Sequence, residues 1–398
     1  MLLMGEISIP SETGKKLNEV LKRGANNFDI MRLVASIAVI IGHSYAISPQ
    51  PPYQDGVLKL LHFDYSGSLA IKFFFFLSGL LVTNSIIQIS DPLNFMVKRA
   101  LRIFPGLFVC LLIAVFIVGP IFTTLPLRSY FGSAETWKYL FKNSALLEIQ
   151  WRLPGVFSES NLSINGSLWT LPYEVLCYLY LAIFYGLGLL KNKIISNLFF
   201  ITVIAVSFIF PTYLPTFFSQ NPESFLLPGC FAIGALFAIN KSSININLTY
   251  FVLVWLLVLL SKNSVAYQFL FYIALFYSIV FISSLSFIIN HVKVPFDASY
   301  GVYVYGFMIQ QCINAVLPNI GVHMHQVISS VIAVLLGILS WHFVEKKFIK
   351  YGNTLARVNP LLFVKEKVAS FKKVPSPILM ARSNRYSGVI LFLSLSIL

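Results

Sequence analysis

The sequence is poor in charge. Asp, Glu, Lys and Arg make up 11% of its 398 residues, against roughly 25% in an ordinary soluble domain. A chain so short of charge cannot cover a water-facing surface, which excludes a soluble globular protein as the basic class. Cysteine is also scarce. Cys110, Cys177, Cys230 and Cys312 each fall inside an apolar run, with no CxxC and no adjacent His cluster, so neither a disulfide framework nor a metal site is expected. No repeat of fixed period is present, and nothing looks like an appended soluble catalytic domain. Short alternating strands are missing too, which argues against a membrane barrel. Acidic residues number 15 against 29 basic ones. In a multi-span chain that excess marks the cytoplasmic side rather than a nucleic-acid partner.

What the sequence does have is apolar length: 57% hydrophobic and 15% aromatic residues, gathered into runs near the 20 or so that a helix needs to cross a bilayer. The expected fold is all-α, a polytopic membrane protein with about ten transmembrane helices. They are placed near 29–47, 68–90, 100–121, 168–189, 194–211, 225–240, 247–261, 266–288, 300–318 and 325–345. With the N-terminus inside, the outer loops hold only Lys59, Arg128, Lys138, Lys142, Arg152 and Lys262. Most other cations fall inside, so both termini are expected in the cytoplasm. The stretch from Ile30 to Ala46 is similar to a signal-peptide core, but the long segment before it and the interrupting Arg32 favour a retained helix. The division is a cytoplasmic segment 1–27, a membrane domain 28–350 and a basic cytoplasmic tail 351–398, which anionic lipid would attract. The longest connection, Phe122 to Ser167, is expected to form a partly ordered cap on the far side.

Ionisable residues inside apolar runs are costly and usually face a polar cavity. Arg32 and His43 share the first run, eleven residues apart. That is close to three helical turns, roughly 16 Å along one face. Snorkelling to lipid headgroups would explain Arg32 equally well, and a packed, hydrogen-bonded role would explain His43. Arg99 and Arg102 are three apart at the mouth of the third run, neighbours on one helix face. A flank of the positive-inside kind accounts for such a pair, and so does a clamp for phosphate oxygens. Glu174 enters the fourth run nine residues after Asn165, as a structural carboxyl, a base, a sugar ligand or a partner orienting a histidine. Tyr300, Tyr303 and Tyr305 fit an interfacial aromatic belt.

Taken in order, these motifs resemble the acyltransferase-3 family of membrane O-acyltransferases: Arg32 and His43 in the first span, Phe-Phe-Phe-Phe-Leu-Ser-Gly at 73–79, Arg99-x-x-Arg102, Gly166-Ser-Leu-Trp-x-Leu-x-x-Glu174, and Ser299-Tyr-Gly-Val-Tyr303. The resemblance covers residues 28 to about 350. It implies an enzyme of the bacterial inner membrane that moves an acyl group, usually acetyl, from cytoplasmic acetyl-CoA (acyl-CoA) to a hydroxyl of an extracytoplasmic polysaccharide or lipid-linked oligosaccharide. It makes His43 essential, either as a general base toward the acceptor hydroxyl or as the group that takes the acyl itself, and makes Glu174 the second catalytic candidate, orienting the imidazole or holding the sugar. Arg32, Arg99 and Arg102 become donor-binding residues, with the last two placed on the CoA phosphates. Asn165, Ser167, Trp169 and Tyr300 become candidate acceptor contacts. The expected partners are the acyl donor, the glycan and the lipid bilayer, with no nucleic acid, metal or permanently bound cofactor. A homo-oligomer is compatible with such a chain, and no motif demands one. The sequence departs from many members in having Tyr305 and Gly306 where a second histidine stands, and it carries no hydrolase-like C-terminal domain. The rival reading is a secondary transporter or exporter of an anionic solute, which also places Arg, His and Glu in the membrane.

Overall fold

The computed structural model of the chain describes residues 14–48, 54–158, 163–211, 222–292 and 294–355. Helices stand at all ten expected places: α1 (Phe28–Ile47), α2 (Ser66–Ile89), α3 (Pro92–Phe122), α4 (Gly166–Gly186), α5 (Lys193–Ile209), α6 (Glu223–Ile239), α7 (Leu248–Leu260), α8 (Tyr267–Ser283), α9 (Ser299–Val316) and α10 (Val322–Leu355). Five of them, α1 to α4 and α10, are long and apolar enough to cross a membrane, while α5 to α8 are shorter apolar helices. The rim is apolar: Ile194, Leu198 and Ile201 on α5, Leu256 and Leu260 on α7, and Val327, Val331 and Leu335 on α10 are all exposed. A belt of that kind on a charge-poor chain belongs in hydrocarbon, and the protein is an integral membrane protein.

Helix α2 is the axis of the bundle. It is apolar nearly all round, the pattern of a helix buried on every side, and it packs against α1, α3, α4 and α6. Its approach to α6 is close because glycines face each backbone. A Cβ on Gly79 would lie 2.0 Å from the Phe231 carbonyl oxygen, and one on Gly234 would lie 2.0 Å from that of Phe76. Small residues at such crossings allow backbone-to-backbone packing, which drives helix association where lipid removes the hydrophobic advantage. Next to this crossing Phe76 stacks on Phe276 of α8, ring centroids 4.4 Å apart.

Two irregular turns bear on the site. Helix α3 contains Pro105 and widens into a π turn over Ala114–Val118. Helix α10 does the same over Trp341–Glu345, at whose end the Glu345 side chain is fully buried. Between α3 and α4, short helices Leu127–Gly132 and Ala134–Ala145 form an ordered cap. It is held by an isolated bridge between Thr123 and Val156 and by Tyr130 donating to the Val115 carbonyl at 2.9 Å. Near the start of the described chain, Lys15–Lys16 pairs antiparallel with Asn245–Ile246. Residues 1–13 of the expected N-terminal segment and the basic tail beyond Leu355 lie outside the described residues. All four cysteines are free.

Candidate active site

Arg99 and Arg102 point from the first turns of α3 into the space enclosed by α1, α2, α4 and α9. There they meet Arg32 of α1. The three arginines, Glu174 and Tyr178 of α4, Ser78 of α2, and Tyr300 and Tyr303 of α9 line one cavity of about 110 Å³. Three guanidiniums in so small a space need compensation. Arg102 has it: Nη2 donates to Asp297 Oδ2 at 2.6 Å and Nη1 to Glu345 Oε2 at 3.4 Å. Its guanidinium also lies over the rings of Tyr300 and Trp341, 5.9 and 5.7 Å from their centroids. Both carboxylates are braced from behind, Asp297 by Ser299 and Glu345 by Ser340, each hydroxyl donating at 2.9 Å. Asp297 also lies 3.9 Å from Arg32, which has Asp29 at 3.5 Å on its exposed side. Burial pushes the Asp297 carboxyl up, but Arg102 and then Arg32 overcome it and hold the group below the usual aspartate value.

Arg99 is different. Its guanidinium lies over the Phe95 ring at 5.8 Å, and its Nε is buried without a hydrogen-bond partner among the described residues. The nearby Glu174 carboxylate accepts from the Tyr178 hydroxyl, whose oxygen lies 2.8 Å from Ser78 Oγ. The site therefore holds one neutralised arginine, one shared between two aspartates, and one with an unfilled donor. An unmet buried donor is costly, so a site that keeps one is built to receive an acceptor group.

His43 stands further along α1 and does not line this cavity. Its ring meets Phe307 edge-on at 5.0 Å, and Nδ1 is buried without a partner among the described residues. The helix around it is fixed by neighbours. Gln310 of α9 donates through Nε2 to the Ile40 carbonyl and to Ser44 Oγ, both at 2.8 Å. His325 of α10 donates through Nε2 to the Gln310 carbonyl at 3.1 Å and has Nδ1 3.2 Å from Ser44 Oγ.

The structure thus gathers Arg32, Arg99, Arg102, Glu174 and Tyr300 around one cavity and leaves the other candidates outside its lining. Asn165 is buried as the cap of α4. Its Oδ1 accepts from the Ser167 amide at 3.2 Å, and its Nδ2 donates to the Val304 carbonyl at 2.7 Å. Ser167 Oγ is buried and unpartnered among the described residues. Trp169 is half-buried and packs edge-on against Tyr173. Sequence reasoning missed Asp297, Glu345, Tyr178, Gln310 and His325. Polar residues within apolar runs were the available signal for the last two, and nothing local marked Asp297 or Glu345 as partners of Arg102. A second buried charge cluster lies elsewhere on α2: Lys72 contacts Asp64 at 2.9 Å and Glu223 at 3.1 Å, and Tyr272 donates to Asp64 at 2.8 Å.

A family model described as an acyltransferase domain matches residues 26–342. An O-acetyl transferase of Shigella phage Sf6 is 33% identical over 340 residues, covering 82% of this chain and 96% of that protein. Nodulation protein 10 of Rhizobium leguminosarum bv. viciae is 26% identical over 366 residues, covering 85% of this chain and 97% of that protein. No solved structure matches.

Proposed function

Because the chain belongs to the acyltransferase-3 family, we propose that it is a membrane O-acyltransferase that carries an acetyl group from cytoplasmic acetyl-CoA to a hydroxyl of an extracytoplasmic polysaccharide or lipid-linked oligosaccharide. The observation that supports this reading best is the cavity holding Arg32, Arg99 and Arg102 at one end of α1, whose other end bears His43. Both termini face the cytoplasm in this proposal. Chemical labelling of a cysteine introduced at Lys262 from outside, but not of one introduced at Lys98, tests that orientation.

Arg99 is the arginine best placed to take a CoA phosphate, since its donor is unfilled and guanidinium matches phosphate oxygens. Arg32 adds charge to the same cavity. Arg102 holds Asp297 and Glu345, and so ties α3 to the start of α9 and to α10. At the far end the imidazole of His43 takes the proton of the acceptor hydroxyl as its oxygen attacks the thioester carbonyl. A new C–O bond forms, the C–S bond breaks, and the proton passes from the imidazole to the departing thiolate. A thioester is already activated, so the step balances without ATP or a metal. Glu174 sits among the arginines and acts there by balancing charge.

Feeding labelled acetyl-CoA to membranes that contain the protein tests the reading. Label recovered in ester linkage on glycan supports it. Label that merely changes sides as a free solute would instead favour an exporter.

A further inference from the structure

We infer that two stacked layers of side chains, Thr170 with Tyr303 and Gly166 with Phe307, form the wall between the arginine-lined cavity and His43, and that Phe307 sets the length of the acyl group that can react. The inference rests on the acyl-CoA reading above and adds to it a determinant of donor specificity.

In the first layer, the Thr170 and Tyr303 hydroxyls share a hydrogen bond, and Tyr303 donates onward to the Ser167 carbonyl at 2.8 Å. Both residues line the cavity, whereas Gly166, Phe307 and His43 do not. One turn further, four residues back on α4 and four residues on along α9, stand Gly166 and Phe307. Only glycine admits that ring, since a Cβ at 166 would lie 2.6 Å from it. The same ring meets the His43 imidazole edge-on at 5.0 Å. Phe307 is 8% exposed and is held between a backbone and a histidine. Neither Phe307 nor His43 belongs to the cavity lining.

Past the ring, His43 Nδ1 is buried without a partner among the described residues. An unmet group of this kind marks a place that a reacting polar group fills. A thioester carbonyl that reaches His43 from the cavity passes the Tyr303 hydroxyl and sets its alkyl end against the Phe307 ring. A methyl group asks little of that contact. Each further methylene has to displace a buried ring packed against Gly166 and the His43 imidazole, and packed interiors resist added volume. Selection of this kind by an apolar wall is typically about 10- to 200-fold per methylene.

The test is transfer from acetyl-, propionyl-, butyryl- and hexanoyl-CoA by the wild-type chain, Phe307→Leu and Phe307→Ala in native membranes. The wild type is expected to prefer acetyl. Phe307→Ala is expected to raise the butyryl-to-acetyl ratio of kcat/KM by about tenfold or more, with Phe307→Leu moving the same way by less. If Phe307→Ala does not fold, the volume-sparing Phe307→Leu still decides the direction. Transfer by all three with an unchanged chain-length ratio would overturn the inference alone. No transfer from any acyl-CoA by the folded wild-type chain would overturn the donor assignment and this inference with it.

Discussion

At the scale of single residues, the two arginines of the Arg99-x-x-Arg102 pair have opposite surroundings. Arg102 is held by two carboxylates, one of them fully buried, whereas Arg99 keeps a donor unfilled among the described residues. Arg99→Ala is therefore expected to weaken acetyl-CoA binding by about 10- to 100-fold, the worth of one or two charge-assisted hydrogen bonds, with little loss of stability. Arg102→Ala is expected to destabilise by about 3 kcal/mol, because it leaves Glu345 buried and unpaired. Calorimetry with the donor and thermal unfolding in detergent separate the two effects. The Asp297 carboxyl carries a pH dependence of definite sign. Its folded value lies below the ordinary 3.8, so in acid the unfolded chain binds more protons at this position. Its contribution is present above about pH 4 and is lost as pH falls below that. Unfolding temperatures measured from pH 6 to pH 3 should fall in the acid part of the range, and less steeply in Asp297→Asn than in the wild type.

At the scale of elements, the helices were legible because a membrane helix must be long, apolar and internally hydrogen-bonded. Those demands are written locally in runs such as 30–47 and 68–90. The spacing of Arg99 and Arg102 was legible for the same reason, since three residues along a helix return to one face. What the sequence withholds is which carboxylate meets which arginine. Asp297 and Glu345 reach Arg102 from 195 and 243 residues away, and no local pattern encodes such a meeting. The same holds for Gln310, which pins α1 beside His43 from 270 residues along the chain. Helix α2 depends most on close approach. Because a Cβ at Gly79 would overlap the Phe231 carbonyl at 2.0 Å, Gly79→Ala must push α2 and α6 apart. The expected cost is about 3 kcal/mol, the upper part of the usual overpacking range, seen as a lowered unfolding midpoint in detergent. Gly56→Ala, with open space around its Cβ position, is the control and should shift the midpoint far less.

At the scale of the whole molecule, buried charge is concentrated in two places around α2. One is the arginine cavity with Asp297, Glu345 and Glu174; the other is Lys72 with Asp64 and Glu223. In the second, one buried lysine is shared by the buried Asp64 and the partly exposed Glu223. The first is unfinished among the described residues, with an open donor on Arg99 and, past Phe307, an imidazole nitrogen that has no partner there. The proposed function assigns Arg99 to the acyl donor and His43 to the acceptor hydroxyl, two unmet groups that stand apart in the bundle. That claim is tested most directly by reconstituting the wild type and His43→Ala in liposomes with acceptor glycan on the far side, supplying labelled acetyl-CoA, and measuring both donor binding and label on the glycan. The expected result is equal donor binding by the two proteins, with label on the glycan from the wild type alone. Label delivered by folded His43→Ala at the wild-type rate would contradict it.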